Sequence, residues 1–181
     1  MRGAVLGLWL LIGAWPLAAR GQSTPDHAPV PVLDLQRYAG TWHVLARLSM
    51  PVQRDCVRDA TVAFAPREDG MLGIRSACLD GKGQRLVEEG VARPVPGAPG
   101  SLQVRFAPDW MAWMPLVWKR HWVIAVDEGY RWAMVGSPDH RHLWILAREP
   151  WMDPARYRAL VDEARRLGYP VDEELVAVPP R

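Results

Sequence analysis

Histidine and cysteine are the side chains of this sequence that could hold a metal ion or attack a substrate. His140 and His142 flank Arg141 in the segment DHRH, and on a β-strand the two histidines would share a face. A metal centre needs a third ligand at suitable spacing, and none accompanies this pair. We therefore expect no metal site here.

The sequence also lacks the motifs of the common enzyme classes. It contains no Gly-x-Ser-x-Gly motif, no phosphate-binding loop and no recognisable catalytic triad. Lysine and arginine number 22 against 20 aspartate and glutamate residues, so no strong basic excess favours a nucleic-acid partner. We expect a protein that is not an enzyme, carries no cofactor and does not bind nucleic acid.

The N-terminus predicts export. Residues 1–21 are expected to be a secretory signal peptide, because a short basic start precedes an apolar stretch too short for a typical transmembrane helix. Cleavage is expected before about Gln22, and an uncleaved membrane anchor is the alternative. Residues 22–32 are proline-rich and predicted to be a flexible leader, followed by one domain over residues 33–181. No cysteine near the cleavage site could carry a lipid anchor.

Cys56 and Cys78 are the two cysteines of the chain. In an exported protein, two cysteines most simply form one disulfide, and a metal pair is disfavoured because no further ligand lies at suitable spacing. The bond would close a loop of about 22 residues, which is worth on the order of 3 kcal/mol in the chain-entropy model. It would also remove any free thiol that a reactive-cysteine isomerase needs.

Turn-forming residues divide the middle of the chain into eight short stretches of β-type residues. The predicted strands are residues 42–48, 60–66, 71–78, 84–93, 101–107, 119–126, 131–136 and 142–148. Short strands at this regular spacing indicate an all-β sandwich or barrel.

One helix is predicted after the strands. Asp153 can cap it, Pro154 can begin it and Gly168 can end it, and apolar residues recur every three or four positions between them. Eight strands followed by one helix favour an antiparallel up-and-down barrel with the helix packed outside, and its interior can hold one small ligand. Residues 171–181 are expected to be extended.

Alternating strand directions bring distant residues to one end of such a barrel, which we call the floor; the other end is the mouth. Strand one starts at the floor with Gly40 and Trp42. The turn that holds Asp127 and Tyr130 returns to the floor, and strand eight ends there at Arg148. The Arg148 guanidinium can then lie on the Trp42 indole, a cation–π contact worth roughly 1–2 kcal/mol when desolvated.

These floor residues resemble the three signature motifs of the lipocalin family. The segments RYAGTWHVLAR, VDEGYRWAMVGSP and HLWILAREP are similar, in order and spacing, to the bacterial lipocalin branch, which is related to apolipoprotein D and the plant temperature-induced lipocalins. The likeness covers about residues 33–178. It implies a protein of the bacterial envelope, in the periplasm or associated with the outer membrane, although the lipidated cysteine of the best-known bacterial members is missing.

Strand alternation also predicts which side chains line the interior. The inward candidates from alternation are Val62, Phe64, Ile74, Leu102, Val104 and Phe106. For the last three strands, which are apolar on both faces, the family resemblance implies that Val123, Ala125, Met134, His142 and Trp144 point inward and that Leu143 and Ile145 lie under the helix. Core packing without a ligand is the alternative for each of these residues.

The segment FAPDWMAWMPLVW, residues 106–118, joins strands five and six at the mouth and is too apolar for an ordinary exposed loop. One interpretation is a lid that folds back over the barrel. The other is a surface, with Trp113 at its centre, that meets a lipid tail, a membrane or a second copy of the protein. Cys56 and Cys78 belong to the same end, where their bond would pin a mouth loop to the rim.

The resemblance and the apolar lining together predict binding, storage or transport of a lipophilic ligand such as a fatty acid or lysophospholipid, in the service of membrane maintenance. Arg54 and Arg58 are the residues expected to meet a phosphate headgroup. Two alternatives stay open: a carrier of haem or another apolar small molecule, and a barrel without a pocket whose mouth contacts a membrane or a protein.

Overall fold

The computed structural model of the chain describes residues 27–49 and 55–180. The predicted signal peptide, the first residues of the leader and Arg54 lie outside the described residues. Residues 27–32 lie against the barrel: the Val30 N–H donates to the Val123 carbonyl (2.8 Å), and the His27 ring hydrogen-bonds the Tyr169 hydroxyl (2.7 Å).

The strands alternate along the chain as predicted, and each boundary falls near a turn signal. They are β1 (Gly40–Leu48), β2 (Arg58–Pro66), β3 (Leu72–Leu79), β4 (Arg85–Val95), β5 (Ala98–Arg105), β6 (Lys119–Val126), β7 (Trp132–Gly136), β8 (Leu143–Ala147) and β9 (Leu175–Ala177). The helices are α1 (Leu35–Tyr38), α2 (Pro154–Arg166) and α3 (Val171–Glu174), and short 3₁₀ helices cover Asp109–Met111 and Pro115–Val117.

Neighbouring strands from β1 to β8 pair antiparallel, and β8 pairs with β1, so the sheet closes into a barrel. This confirms the predicted all-β, eight-stranded fold. The ninth strand was expected only as an extended tail. It pairs with residues 46–48 in the mouth half of β1, whereas residues 40–43 in the floor half of β1 pair with β2.

Helix α2 packs on the outside of the barrel, as predicted. The Asp153 carboxylate accepts the N–H groups of Ala155 and Arg156, both at 3.0 Å, and so caps the first turn. The buried Leu160 and Ala164 pack against outward side chains of the sheet, Ile145 among them. Within residues 27–49 and 55–180, no helix is long and apolar enough to cross a membrane.

Two β-bulges change which side chains point inward. In β6 the register shifts between Val123 and Ala125, so Ile124 and Ala125 both face outward, towards the residues under α2. The prediction that Ala125 points inward is therefore wrong. Met134 pairs with Ala125 from β7 and was also predicted to point inward. It lies fully buried under the helix instead, because regular alternation along β7 turns Ala133 and Val135 to the inside.

The second bulge lies in β1, where the register with β8 shifts between Val44 and Ala46. Leu45 and Ala46 both face the helix side, and Arg47 returns to the interior face, opposite Trp144 on β8. The floor half of the barrel is filled by fully buried side chains such as Tyr38, Trp42 and Leu102. The remaining interior space lies in the mouth half.

Candidate ligand-binding cavity

A cavity of about 100 Å³ occupies the mouth half of the barrel. Six of the residues predicted to face a ligand line it: Val62, Phe64, Ile74, Val104, Phe106 and Trp144. They come from β2, β3, β8 and the end of β5, so strand alternation alone places most of the apolar wall. Phe64 and Ile74 are on its floor side, and Phe106 is at its mouth side.

The other predicted ligand-binding residues lie elsewhere. Leu102 and Val123 point inward but are fully buried in the packed interior and do not border the cavity. His142 is half-buried, with its ring stacked on Trp144 at a centroid distance of 5.9 Å. Trp113 is 78% exposed. The four share a reason for the difference: each belongs to the barrel interior or the mouth, but the space left by packing is smaller than the whole interior.

Arg47 is a cavity-lining residue that sequence reasoning missed. Strict alternation from Trp42 turns position 46 inward and position 47 outward, and only the bulge at Leu45 reverses them. The Arg47 side chain is 6% exposed and donates hydrogen bonds to the carbonyls of Leu48 (3.3 Å) and Cys56 (3.0 Å). Burial lowers its pKa, yet a guanidinium stays protonated in proteins. The cavity wall therefore carries a positive charge.

His121 is a second polar residue of the cavity wall that the sequence did not single out. Its ring lies between the rings of Phe64 and Trp144, at centroid distances of 5.9 and 6.1 Å. Burial lowers its pKa from 6.5 to about 4, because the low-dielectric surroundings disfavour the imidazolium. At neutral pH this side chain is uncharged, so among the described residues of the wall Arg47 carries the charge.

The predicted disulfide joins Cys56 to Cys78, with a Cα–Cα distance of 5.4 Å. It connects the segment before β2 to the end of β3, and both cysteines border the cavity. The bond thus holds one side of the mouth in place beside Arg47, whose guanidinium donates to the Cys56 carbonyl.

At the floor, Arg148 ties together the residues that the sequence analysis placed there. Its guanidinium carbon lies 3.7 Å from the centre of the Trp42 ring. It donates to the carbonyls of Arg37 (2.7 Å), Ala39 (2.8 Å) and Thr41 (2.9 Å). Gly40 has a φ of +98°, and a Cβ there would lie 3.1 Å from Arg148 Nη1, so this position needs glycine for its backbone and for the space.

The turn after β6 supports this floor. The Asp127 carboxylate accepts the N–H of Gly129 (3.0 Å) and pairs with Arg131 at 2.8 Å. The hydrogen bond from the Arg131 side chain is the main cause that lowers the Asp127 pKa to about 2. Tyr130, held at a φ of +56°, accepts the Asp34 N–H at its hydroxyl (2.8 Å). The turn thereby fastens α1 across the closed end.

In the mouth segment, residues 106–118, Trp110, Trp113 and Leu116 do not fold back over the cavity. Trp110, Trp113 and Leu116 are 73–78% exposed, which argues against the lid interpretation for these three. Arg58, expected to meet a phosphate, is exposed at the start of β2 and does not line the cavity.

Comparison with known proteins gives a consistent picture. The model of the lipocalin-like domain matches residues 33–180. The chain is 30% identical to the outer membrane lipoprotein Blc of Escherichia coli K12 over 88% of each chain. It is 25% identical to temperature-induced lipocalin-1 of Arabidopsis thaliana over 78% of this chain and 76% of the plant protein.

Solved structures share the fold at low sequence identity. Insecticyanin from the tobacco hornworm Manduca sexta superposes with a TM-score of 0.62 at 19% identity, covering 85% of this chain and 84% of that one. The cockroach allergen Per a 4 superposes with a TM-score of 0.64 at 15% identity, covering 85% and 92%.

Proposed function

The chain belongs to the lipocalin family, whose members bind small hydrophobic ligands, and from this premise we propose that it binds a single-chain anionic lipid, a fatty acid or a lysophospholipid, for storage or transport. Lipocalins are generally binding proteins and not enzymes. The observation that carries the proposal is an apolar cavity with a buried cation, Arg47, in its wall.

The apolar wall supplies the affinity in this proposal. An acyl chain that leaves water gains about 0.8 kcal/mol per buried methylene, before the cost of ordering the chain. The cavity volume of about 100 Å³ is below the range of roughly 300–1,000 Å³ that is common for drug-sized ligands. This favours a slender acyl chain over a wide, rigid ring system such as haem.

Arg47 supplies the headgroup preference. A carboxylate or phosphate near a buried guanidinium forms charge-assisted hydrogen bonds that are about twice as strong as neutral ones. Arg47 replaces Arg58 in this role, because Arg58 is exposed and lies outside the cavity.

We propose the bacterial cell envelope as the place of action, and membrane maintenance as the purpose. The support is the relative in Escherichia coli, which is named an outer membrane lipoprotein, together with the predicted signal peptide and the disulfide, which is typical of oxidising compartments. Export, with the protein in the periplasm, remains part of this proposal.

The test compares a fatty acid with the fatty alcohol of the same chain length, by quenching of tryptophan fluorescence. We expect wild type to prefer the acid, and Arg47→Met to weaken acid binding by about tenfold or more while leaving the alcohol unchanged. Arg58→Met is the matched control and should keep wild-type affinity for both. Equal binding of acid and alcohol by wild type would contradict the assignment of Arg47.

Mass spectrometry of lipid extracts from the purified protein tests the ligand class itself. A stoichiometric fatty acid or lysophospholipid supports the proposal. A coloured protein that carries haem or a pigment would favour the alternative carrier. A protein that is always empty and does not respond to added lipid would favour a barrel that works by surface contact.

A further inference from the structure

The mouth segment exposes more apolar surface than a loop normally does. Trp110 is 73% exposed, Trp113 78% and Leu116 76%, and Phe106 at its start is 47% exposed. Contiguous exposed apolar side chains of this size mark an interaction surface. We call these four residues the mouth patch.

The backbone of the segment arranges two of these side chains, Trp110 and Trp113, on one side. Successive hydrogen bonds run three residues back along the chain, from Met111 N–H to Pro108, from Met114 N–H to Met111 and from Val117 N–H to Met114. In such 3₁₀ geometry, side chains three positions apart lie above one another. Trp110 and Trp113 have this spacing at the first 3₁₀ helix and form a ridge. The exposed Leu116 lies beside them in the second 3₁₀ helix, after the extended Met114.

Buried contacts hold the segment in this conformation. Arg105 is 5% exposed and donates to the Ala107 carbonyl and, at 2.5 Å, to the Asp109 carboxylate. The Trp118 indole donates to the Ala112 carbonyl (2.8 Å), and the Arg93 guanidinium lies 4.0 Å from its ring centre. The ridge is therefore displayed by a preorganised support, which reduces the ordering cost of binding.

Two exposed positive charges follow the mouth segment in the chain. Lys119 and Arg120, the first residues of β6, are both exposed. Asp109, the acidic residue within the segment, is paired with Arg105. Tryptophan beside lysine and arginine is the composition of protein surfaces that rest at the interface of an anionic bilayer.

Phe106 connects the mouth patch with the barrel interior, because it lines the cavity and is also half-exposed. A partner on the patch would therefore lie next to the entrance of the cavity. This arrangement suits a partner that can itself deliver an apolar molecule.

We propose that the mouth patch docks on the surface of an anionic lipid bilayer, with the ridge in the headgroup region and Lys119 and Arg120 facing the phosphates. Docking would place the cavity entrance against the bilayer. The proposal concerns the outer surface and does not depend on which ligand the cavity holds.

The test is co-flotation of the protein with vesicles of phosphatidylcholine, with and without phosphatidylglycerol, at low and high salt. We expect wild type to bind the mixed vesicles more strongly, and Trp110→Ser with Trp113→Ser to weaken that binding by about tenfold or more. Trp151→Ser is the matched control, since Trp151 is 68% exposed but follows Arg148 at the floor; it should bind like wild type.

A second variant tests the positive charges. Lys119→Gln with Arg120→Gln should weaken binding to the anionic vesicles by about fivefold for each charge removed, and should leave binding to pure phosphatidylcholine vesicles unchanged.

Several outcomes would overturn the proposal. Wild type that binds neither vesicle would do so, as would equal losses from the Trp151 and the ridge variants. Vesicle-free dimers that dissociate in the ridge variant would show that a second copy covers the patch. Fatty-acid affinity measured without vesicles should stay at the wild-type level in the ridge variant, so failure of docking and failure of the cavity proposal remain distinguishable.

Discussion

A single guanidinium, that of Arg148, connects the start of the barrel to its end. It lies on Trp42 and donates to carbonyls of α1 and β1. Strand direction alone predicted that the motif residues meet at the floor; these are Gly40, Trp42, Asp127, Tyr130 and Arg148. What the sequence could not show is the number of carbonyls that one arginine satisfies, because this depends on how α1 folds beneath it.

Arg148→Ala should lower the free energy of unfolding by about 1–3 kcal/mol, because packing on Trp42 is lost and several carbonyls lose a donor. Urea denaturation measures this change. The control is Arg75→Ala, since Arg75 is a half-exposed surface residue with a loose ion pair to Glu89 (3.6 Å); it should change stability by less than about 0.5 kcal/mol. An unchanged midpoint for Arg148→Ala would contradict the role of the floor contacts.

His121 should make the protein less stable in mild acid. Its pKa is about 4 in the folded chain and 6.5 ordinarily, so between these values the unfolded chain binds a proton that the folded chain does not. The free energy of unfolding should thus be highest above about pH 6.5 and fall by up to about 3 kcal/mol as the pH drops to 4.

Urea unfolding of wild type and His121→Gln at pH 7 and pH 5 checks this expectation: the variant should lose less stability between the two values. Burial also lowers the pKa of His27. Protonation of His27 therefore also makes the free energy of unfolding fall as the pH falls, and His27→Gln serves as the comparison. Asp127, with a pKa near 2, titrates below this window. If wild type and His121→Gln lost the same free energy of unfolding between pH 7 and pH 5, the result would count against a buried neutral imidazole.

At the scale of elements, β1 has more partners than any other strand within residues 27–49 and 55–180. It pairs with β8 along one edge and shares its other edge between β2 and β9. After β9 the chain continues in the same gap, where the Val178 N–H donates to the Leu45 carbonyl (2.9 Å) and the Asp59 N–H donates to the Pro179 carbonyl (2.9 Å). The C-terminal tail thus completes the barrel wall at the mouth.

A chain that ends at Glu174 should lose about 2–4 kcal/mol of stability, because it lacks the β9 ladder and the buried Val178. Hydrogen exchange should rise at Asp59 and at those amides of residues 46–48 that point towards β9, because these lose their partners. A chain that ends at Pro179 keeps both tail hydrogen bonds and should behave like wild type. Unchanged protection of these amides in the shorter chain would show that the tail is not needed to close the wall.

Strand order and helix position could be predicted because turn residues, caps and alternation are local signals. Asp153 and Pro154 define the start of α2 by themselves. The bulges were not predictable in this way: nothing in the types of Leu45 or Ile124 distinguishes a bulged residue from a paired one. Each bulge shifted the inward set by one position, and this explains both the missed Arg47 and the misplaced Ala125.

The whole molecule has one closed end and one open end. Aromatic packing and Arg148 fill the floor, whereas the mouth keeps a cavity and is held by the Cys56–Cys78 bond. The apolar mouth segment was predicted to be unusual, but its exposure depends on support from Arg105 and Trp118. These hydrogen-bond partners are only four and six residues apart, but the burial of Arg105 that fixes them depends on the folded barrel.

Cys56→Ser with Cys78→Ser should reduce the free energy of unfolding by about 3 kcal/mol, since the bond closes a loop with a sequence separation of 22 residues. Ligand affinity should fall as well, because the bond holds the rim beside Arg47. Thermal unfolding with and without reductant checks the first effect, and the variant should not respond to reductant. Equal stability of oxidised and reduced wild type would contradict it.

The pairing of β1 also constrains the order in which the barrel can fold during synthesis. Among the described strands β1 comes first in the chain, so the ribosome makes it before its partners β8 and β9. Until β8 has been made, one edge of β1 lacks its native neighbour, and open strand edges invite pairing with other chains. Closure of the ring therefore has to follow the synthesis of β8, and until then the open edge of β1 can pair with other chains.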